Sequence, residues 1–246
     1  MDSPSIVGLS GQLALRQQLD VTASNLANAS TTGFRGDRTL FQSHVSRLAV
    51  PGREVAFVQD RATYVDTRQG GIAQTGNPLD LAIDGDAHLA VERPGGARGY
   101  TRDGRLKIRA DNTLTDSAGR PALGEDGGRI TLPDAASRLE IRADGTILVT
   151  LEGGRAEPAG RIGLFRGSDP RALRKAGDGL LEIADAAPAP PGAARLVQAA
   201  LEASTVQPVQ ELANLTLLQR AYDSLQQAVS EDDSRLRRMI ETIGRP

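Results

Sequence analysis

The sequence predicts an α+β protein with a discontinuous, coiled-coil-like helical domain formed by both termini and a central all-β domain. Three observations predict it. Helical spacing of apolar residues is confined to the two ends of the chain, and short alternating runs separated by Asp-Gly pairs fill the middle. The C-terminal helix also carries a seven-residue apolar repeat that it cannot bury by itself.

The N-terminal element, residues 1–35, reads as a core helix over roughly 3–30. Ile6, Leu9 and Leu13 recur at offsets of three and four, as do Leu15, Leu19, Thr22 and Leu26. Gly8 and Gly11 each cost up to about 1 kcal/mol against alanine, so this helix is predicted not to be stable alone. Asn25 and Asn28 share a face beside Leu15, Leu19 and Leu26, where they either cap the helix end or present amides to something else. The helix stops at Gly33.

Residues 36–74 are mixed in pattern and are expected to be an extended linker region. The central β-domain is assigned to 75–200. HLAVE sets Leu89 and Val91 on one face, RLKIR does so for Leu106 and Ile108, RLEIR for Leu139 and Ile141, and TILVTL continues the pattern. Asp84-Gly85, Asp103-Gly104, Asp126-Gly127 and Asp144-Gly145 supply residues that tolerate the positive φ of tight turns. AAPAPPGAA, 186–194, is too rich in proline for a helix or central strand and reads as a spacer.

Residues 201–246 form the C-terminal heptad helix, with Pro208 at its first turn. Leu215, Leu218, Tyr222, Leu225, Val229, Leu236, Met239 and Ile243 follow alternate spacings of three and four, interrupted only by Asp232. From Pro208 to Ile243 the helix would be about 54 Å long and its N-terminal counterpart about 37 Å. Pairing them within one chain leaves about 17 Å of seam uncovered. Packing among helices of many copies is therefore the preferred expectation, and docking of both helices on the β-domain the plainer alternative.

Composition narrows the function classes. The formal net charge is -2, which gives no electrostatic case for nucleic acid or an anionic membrane, and the arginines of RLRRM fall on the polar faces of the heptad helix. No apolar run approaches the roughly 18 residues needed to span a bilayer, so no membrane insertion is expected. The first residues lack the basic stretch and apolar segment of a secretory signal.

No catalytic set emerges, and the chain is not expected to be an enzyme. The two histidines, His44 and His88, lie in unrelated contexts, and His88 in an alternating strand is expected at the surface. With no cysteine there is neither a thiol nucleophile nor a cysteine-based zinc site, and no phosphate-binding glycine loop occurs. No cofactor and no small-molecule ligand are expected. The one alternative of a different class is a calcium-binding extracellular β-domain using Asp80, Asp84, Asp86, Asp103, Asp111 and Asp116, although these lack the EF-hand order.

TASNLANASTTGFR (22–35), TGNPLDLAIDGDAHLAV (75–91), YTRDGRL (100–106), LTDSAGRPALG (114–124) and LEASTVQPVQELANL with QRAYD (201–215, 219–223) resemble the bacterial flagellar rod and hook proteins. The resemblance spans both ends and most of the middle, in order. It is greatest to proximal rod members, with the distal rod as nearest competitor. It implies an axial subunit whose terminal helices join a concentric core, partnered by itself and by other proximal and distal rod proteins. It further implies passage through the flagellar type III export apparatus without a cleaved signal, and a place in the basal-body rod across the periplasm. Leu15, Leu19 and Leu26 and the eight heptad residues would then be the assembly interface. Asn25 and Asn28 would set register against neighbouring subunits, and Gly33 would be the hinge toward the β-domain. Ser24 and Thr205 stand where the family more usually has asparagine.

Overall fold

Helix α1, Ser3–Ala27, and helix α2, Pro208–Ile243, bracket a β-rich interior, so the fold is α+β. The computed structural model describes residues 3–47, 54–134, 136–151, 154–169 and 172–243. The chain divides into two units: Met1–Ala27, Asp37–Tyr64 and Gln207–Pro246 form the first, and Asn28–Gly36 with Val65–Val206 the second.

In the first unit α1 and α2 pack side by side. A Cβ built on Gly8 would stand 2.7 Å from Val229 Cγ2, and one on Gly11 3.0 Å from Leu225 Cδ2. The pairing of 8 with 229 and 11 with 225 makes the helices antiparallel. The chain thus uses the in-chain pairing that the length argument disfavoured. The two glycines, read from the sequence as weak points, are what lets the backbones approach. Between the helices in sequence lie strands β1 (Asp37–Arg47) and β2 (Glu54–Val65), which pair with each other. The segment expected as a linker is therefore extended but forms a two-stranded ribbon.

The second unit continues with β3 (Ile72–Gln74), β4 (Leu81–Gly85), β5 (His88–Glu92), β6 (Arg98–Thr101), β7 (Lys107–Ile108) and β8 (Leu114–Thr115). After these come β9 (Ala136–Ile141), β10 (Thr146–Leu151), β11 (Ala156–Arg161), β12 (Leu164–Arg166), β13 (Arg174–Gly177) and β14 (Leu180–Glu182). The last are β15 (Ala187–Pro188), β16 (Ala194–Gln198) and β17 (Ala200–Glu202). The largest sheet has the order β13-β14-β6-β5-β12-β15, and β11-β10-β9 forms a meander. The β9–β10 hairpin turns at Asp144-Gly145, where Gly145 adopts φ 89°.

One core cluster gathers Leu81, Ile83, Leu89, Leu114, Ile147, Val149 and Leu196; a second gathers Val65, Ala90, Tyr100, Phe165 and Leu181. Strand β5 has one face in each, with Leu89 in the first cluster and Ala90 in the second. That is why His88, expected at the surface, is buried: β5 has no solvent face. In RLKIR only Leu106 is buried, because β7 is two exposed residues long and Ile108 lies outside the core.

The proline-rich segment also departs from expectation. Ala187–Pro188 is an edge strand paired to β12, the position in a sheet where proline is tolerated. Beyond the turn the chain re-enters the unit: β16 pairs antiparallel with β4 from Ala194↔Gly85 to Gln198↔Leu81, and β17 pairs with β3. AAPAPPGAA is therefore not a spacer between the β-domain and the C-terminal helix, since the β-unit runs on to Val206.

Candidate assembly site

On α2, Leu215, Leu218, Tyr222, Leu225 and Val229 are half-buried, while the residues between them are exposed. The heptad positions thus form the inward stripe. Gly8 and Gly11 of α1 meet this stripe at Val229 and Leu225, and along α1 Gly8, Thr22 and Asn25 are buried and Leu15, Leu19 and Leu26 half-buried. The side chains of Leu236, Met239 and Ile243, and of His44, lie outside the described residues. The opposite faces are apolar in part: Leu9 is 55% exposed, Leu13 61% and Leu217 63%, with Val209 and Leu212 also open to solvent. Sequence reasoning placed Leu9 and Leu13 in a stripe but did not separate it from the inward one.

Asn25 does not present its amide outward. Its Nδ2 donates to the Asp37 carbonyl at 2.9 Å, and its Oδ1 accepts the Asp37 N–H at 2.8 Å, fixing the first residue of β1 to the end of α1. Asn28 closes the turn after the helix: its carbonyl accepts the Thr31 N–H at 3.0 Å and its Oδ1 the Thr31 hydroxyl at 3.3 Å.

In the second unit three of the motifs meet at one carboxylate. Glu202, 1% exposed, accepts Arg35 Nη2 at 3.1 Å and the Gly70 N–H at 2.8 Å on Oε1, and Arg102 Nη1 at 2.9 Å on Oε2. Arg35 and Arg102 are themselves 4% and 3% exposed. Arg102 also donates to the carbonyls of Ile83 and Gly85. The Glu202 carbonyl accepts the Gly33 N–H at 2.8 Å. Gly33 adopts φ 65°, and a Cβ there would lie 2.4 Å from the Arg102 carbonyl carbon, so only glycine fits this turn. Thr205 accepts the Gly36 N–H on its hydroxyl at 3.0 Å, completing the same seam. None of Arg35, Arg102 and Glu202 was singled out from the sequence.

Burial, reinforced by Arg102, holds the Arg35 guanidinium down to about 10 despite Glu202. His88 is pushed down to about 3 by burial first and then by Arg102 and Arg35, against a hydrogen bond with the Phe165 backbone. A histidine that is neutral in the folded state and basic when unfolded binds more protons unfolded. Stability should therefore fall as pH drops below the ordinary histidine value of 6.5 and go on falling toward about 3. Thermal melts of His88→Gln should lose this slope between pH 6.5 and 4.5, before the carboxylates titrate. A slope equal to that of the parent chain would assign the effect elsewhere.

The carboxylates of the calcium reading are engaged one by one. Asp84 meets Arg195 at 2.7 Å, Asp103 meets Arg105 at 2.7 Å and Asp116 meets Arg120 at 2.6 Å. Asp80 accepts the Asn77 amide, Asp111 accepts the Thr113 N–H, and Asp86 lies 4.0 Å from Arg166. Among the described residues no group of three or more acids and histidines is placed to hold a metal ion. No described helix is long and apolar enough to cross a membrane.

Three family models match the chain in order. They are the flagella basal body rod protein over 7–35, the flagellar hook protein FlgE/F/G D1 domain over 82–149, and the flagellar basal body rod FlgEFG protein C-terminal over 197–242. The flagellar basal-body rod protein FlgF of Caulobacter vibrioides is 36% identical over 100% of this chain and 99% of the relative. FlgF of Salmonella typhimurium is 34% identical over 89% of each, and the rod protein FlgG of Bacillus subtilis 28% identical over 95% of this chain and 96% of its own. The matched segments take in residues 7–27 of α1, the stretch from the second residue of β4 to residue 149 in β10, and all but the last residue of α2. The likeness thus reaches both units, and the chain belongs to the flagellar basal-body rod protein family, among which it is FlgF-like.

Proposed function

We propose that this chain is a structural subunit of the proximal part of the bacterial flagellar rod, helping to transmit torque from motor to hook. The observation that carries the reading is end-to-end similarity to rod proteins, helices included. The distal rod is the second reading, favoured by the near full-length match to FlgG but at lower identity. Neither needs catalysis, and export through the flagellar type III apparatus would deliver the chain to a rod spanning the periplasm.

Assembly would run through the terminal helices as a coiled-coil-like core. Within the chain α1 and α2 already cover one another, so two surfaces remain for neighbours. The first is the set of exposed apolar residues on the outer sides of the two helices, Leu9 and Leu13 on α1 and Val209, Leu212 and Leu217 on α2. The second is the end of α2. Extending the pairing of Gly8 with Val229 sets Ser3 near position 234, so about 14 Å of α2 run past α1. Positions 236, 239 and 243 of the heptad repeat belong to that overhang, where helices of other rod subunits would pack.

Localisation of the chain in purified basal bodies tests the reading. Leu225→Asp is expected to abolish incorporation and motility, because it places a charge in the seam against Gly11, while the β-rich unit keeps its melting temperature. A motile strain carrying Leu225→Asp would overturn the seam assignment.

A further inference from the structure

The charge cluster at Glu202 is incomplete. Two buried guanidiniums are ion-paired to one carboxylate, and the charges of Asp66 and Asp86 also act on Arg35. Among the described residues, Arg35 Nε and Nη1 and Arg102 Nε are buried with no hydrogen-bond acceptor. Other ionic pairs of this unit are matched: buried Asp116, for example, has Arg120 to itself and also accepts two backbone N–H groups. Against both arginines lies an open cavity of about 290 Å³, walled by Arg35, Thr67, Gln69, Gly85, Asp86 and Arg102. Gln69 is fixed there by bonds to the Ile83 carbonyl and the Gly85 N–H. Asp86, half exposed and 4.0 Å from Arg166, is the acid in that wall.

We propose that this cavity receives one carboxylate, from an acidic side chain of a neighbouring rod subunit. A carboxylate matches arginine in charge, and one seated in the cavity would accept from guanidinium N–H groups that now have no acceptor. The cavity suits a side chain better than a whole helix or strand. The donor chemistry is available on a second copy, whose Glu125, Asp126, Asp144 and Asp178 stand exposed at turns. The donor's identity rests on the rod reading, whereas the cavity itself does not.

Acetate is the probe for the dilute full-length chain, since it carries the same group. At constant ionic strength and neutral pH, replacing chloride by acetate should raise the melting temperature of the β-rich unit by about 2–4 °C. Asp86→Asn, which removes a like charge from the wall, should enlarge that shift. Thr67→Glu, an exposed position that supplies a carboxylate in the same chain, should raise the melting temperature in chloride and blunt the acetate response. Equal melting in acetate and chloride would overturn the site, as would unchanged responses in both variants. The chain has no cysteine, so Thr67→Cys gives a single reporter thiol. It should react with maleimide in the monomer and be protected in isolated rods. Equal labelling in rods would overturn the neighbour as donor. Absence of the chain from rods would overturn the rod reading and the donor with it, while the acetate melts still decide the cavity.

Discussion

Glu202→Gln lowers the melting temperature of the β-rich unit by about 6–20 °C, the shift expected when a buried ion pair worth about 3–5 kcal/mol loses one partner in a domain of this size. The amide keeps the shape and can still accept from Gly70, but it offers no charge to the two guanidiniums. Arg35 and Arg102 are then left as two like charges in a site from which water is largely excluded. Removing the acid should therefore cost more than removing one base. Arg35→Gln leaves Glu202 paired with Arg102 and relieves the repulsion that depresses Arg35. Circular dichroism melts of the two variants check the order. Glu202→Gln melting within 2 °C of the parent chain, or above Arg35→Gln, would show that the carboxylate does not hold this seam together.

How much of this was legible beforehand differs between the two units. The helices were, because a three-and-four spacing survives whatever covers it: five of the eight heptad positions form the inward stripe of α2. The side chains of Leu236, Met239 and Ile243 fall outside the described residues. What covers the stripe was less legible, because Gly8 and Gly11 lower helix propensity and improve packing at once, and only the second effect depends on a partner. In the β-rich unit, alternation found the β9–β10 hairpin with its Asp144-Gly145 turn. It failed for β5, where both faces are buried and His88 has no solvent side. The Arg35–Glu202–Arg102 cluster joins positions 67 and 100 residues apart, and no periodic pattern encodes a contact of that separation. Asn25 was read as a possible cap or register device, and nothing in the sequence signals that its amide fastens the backbone of Asp37.

Gly8→Leu combined with Gly11→Leu should separate the helices and abolish rod incorporation, against what propensity alone expects. Leucine in place of glycine favours an isolated helix by up to about 1 kcal/mol per site, so about 2 in total. The opposing term is larger. At Gly8 even a Cβ would sit 2.7 Å from Val229, and at Gly11 3.0 Å from Leu225, so two leucines force the backbones apart. Leu15, Leu19 and Leu26 on one side and Leu215, Leu218, Tyr222, Leu225 and Val229 on the other are half-buried and would be exposed. At half of the about 1.5–3 kcal/mol for full burial, eight such residues lose about 6–12 kcal/mol together. The helical signal at 222 nm of the isolated chain should fall and the strain should not swim, while the β-rich unit melts where it did before. If propensity governed instead, the signal would rise and assembly would survive. That result would mean the two ends meet their partners only on other molecules.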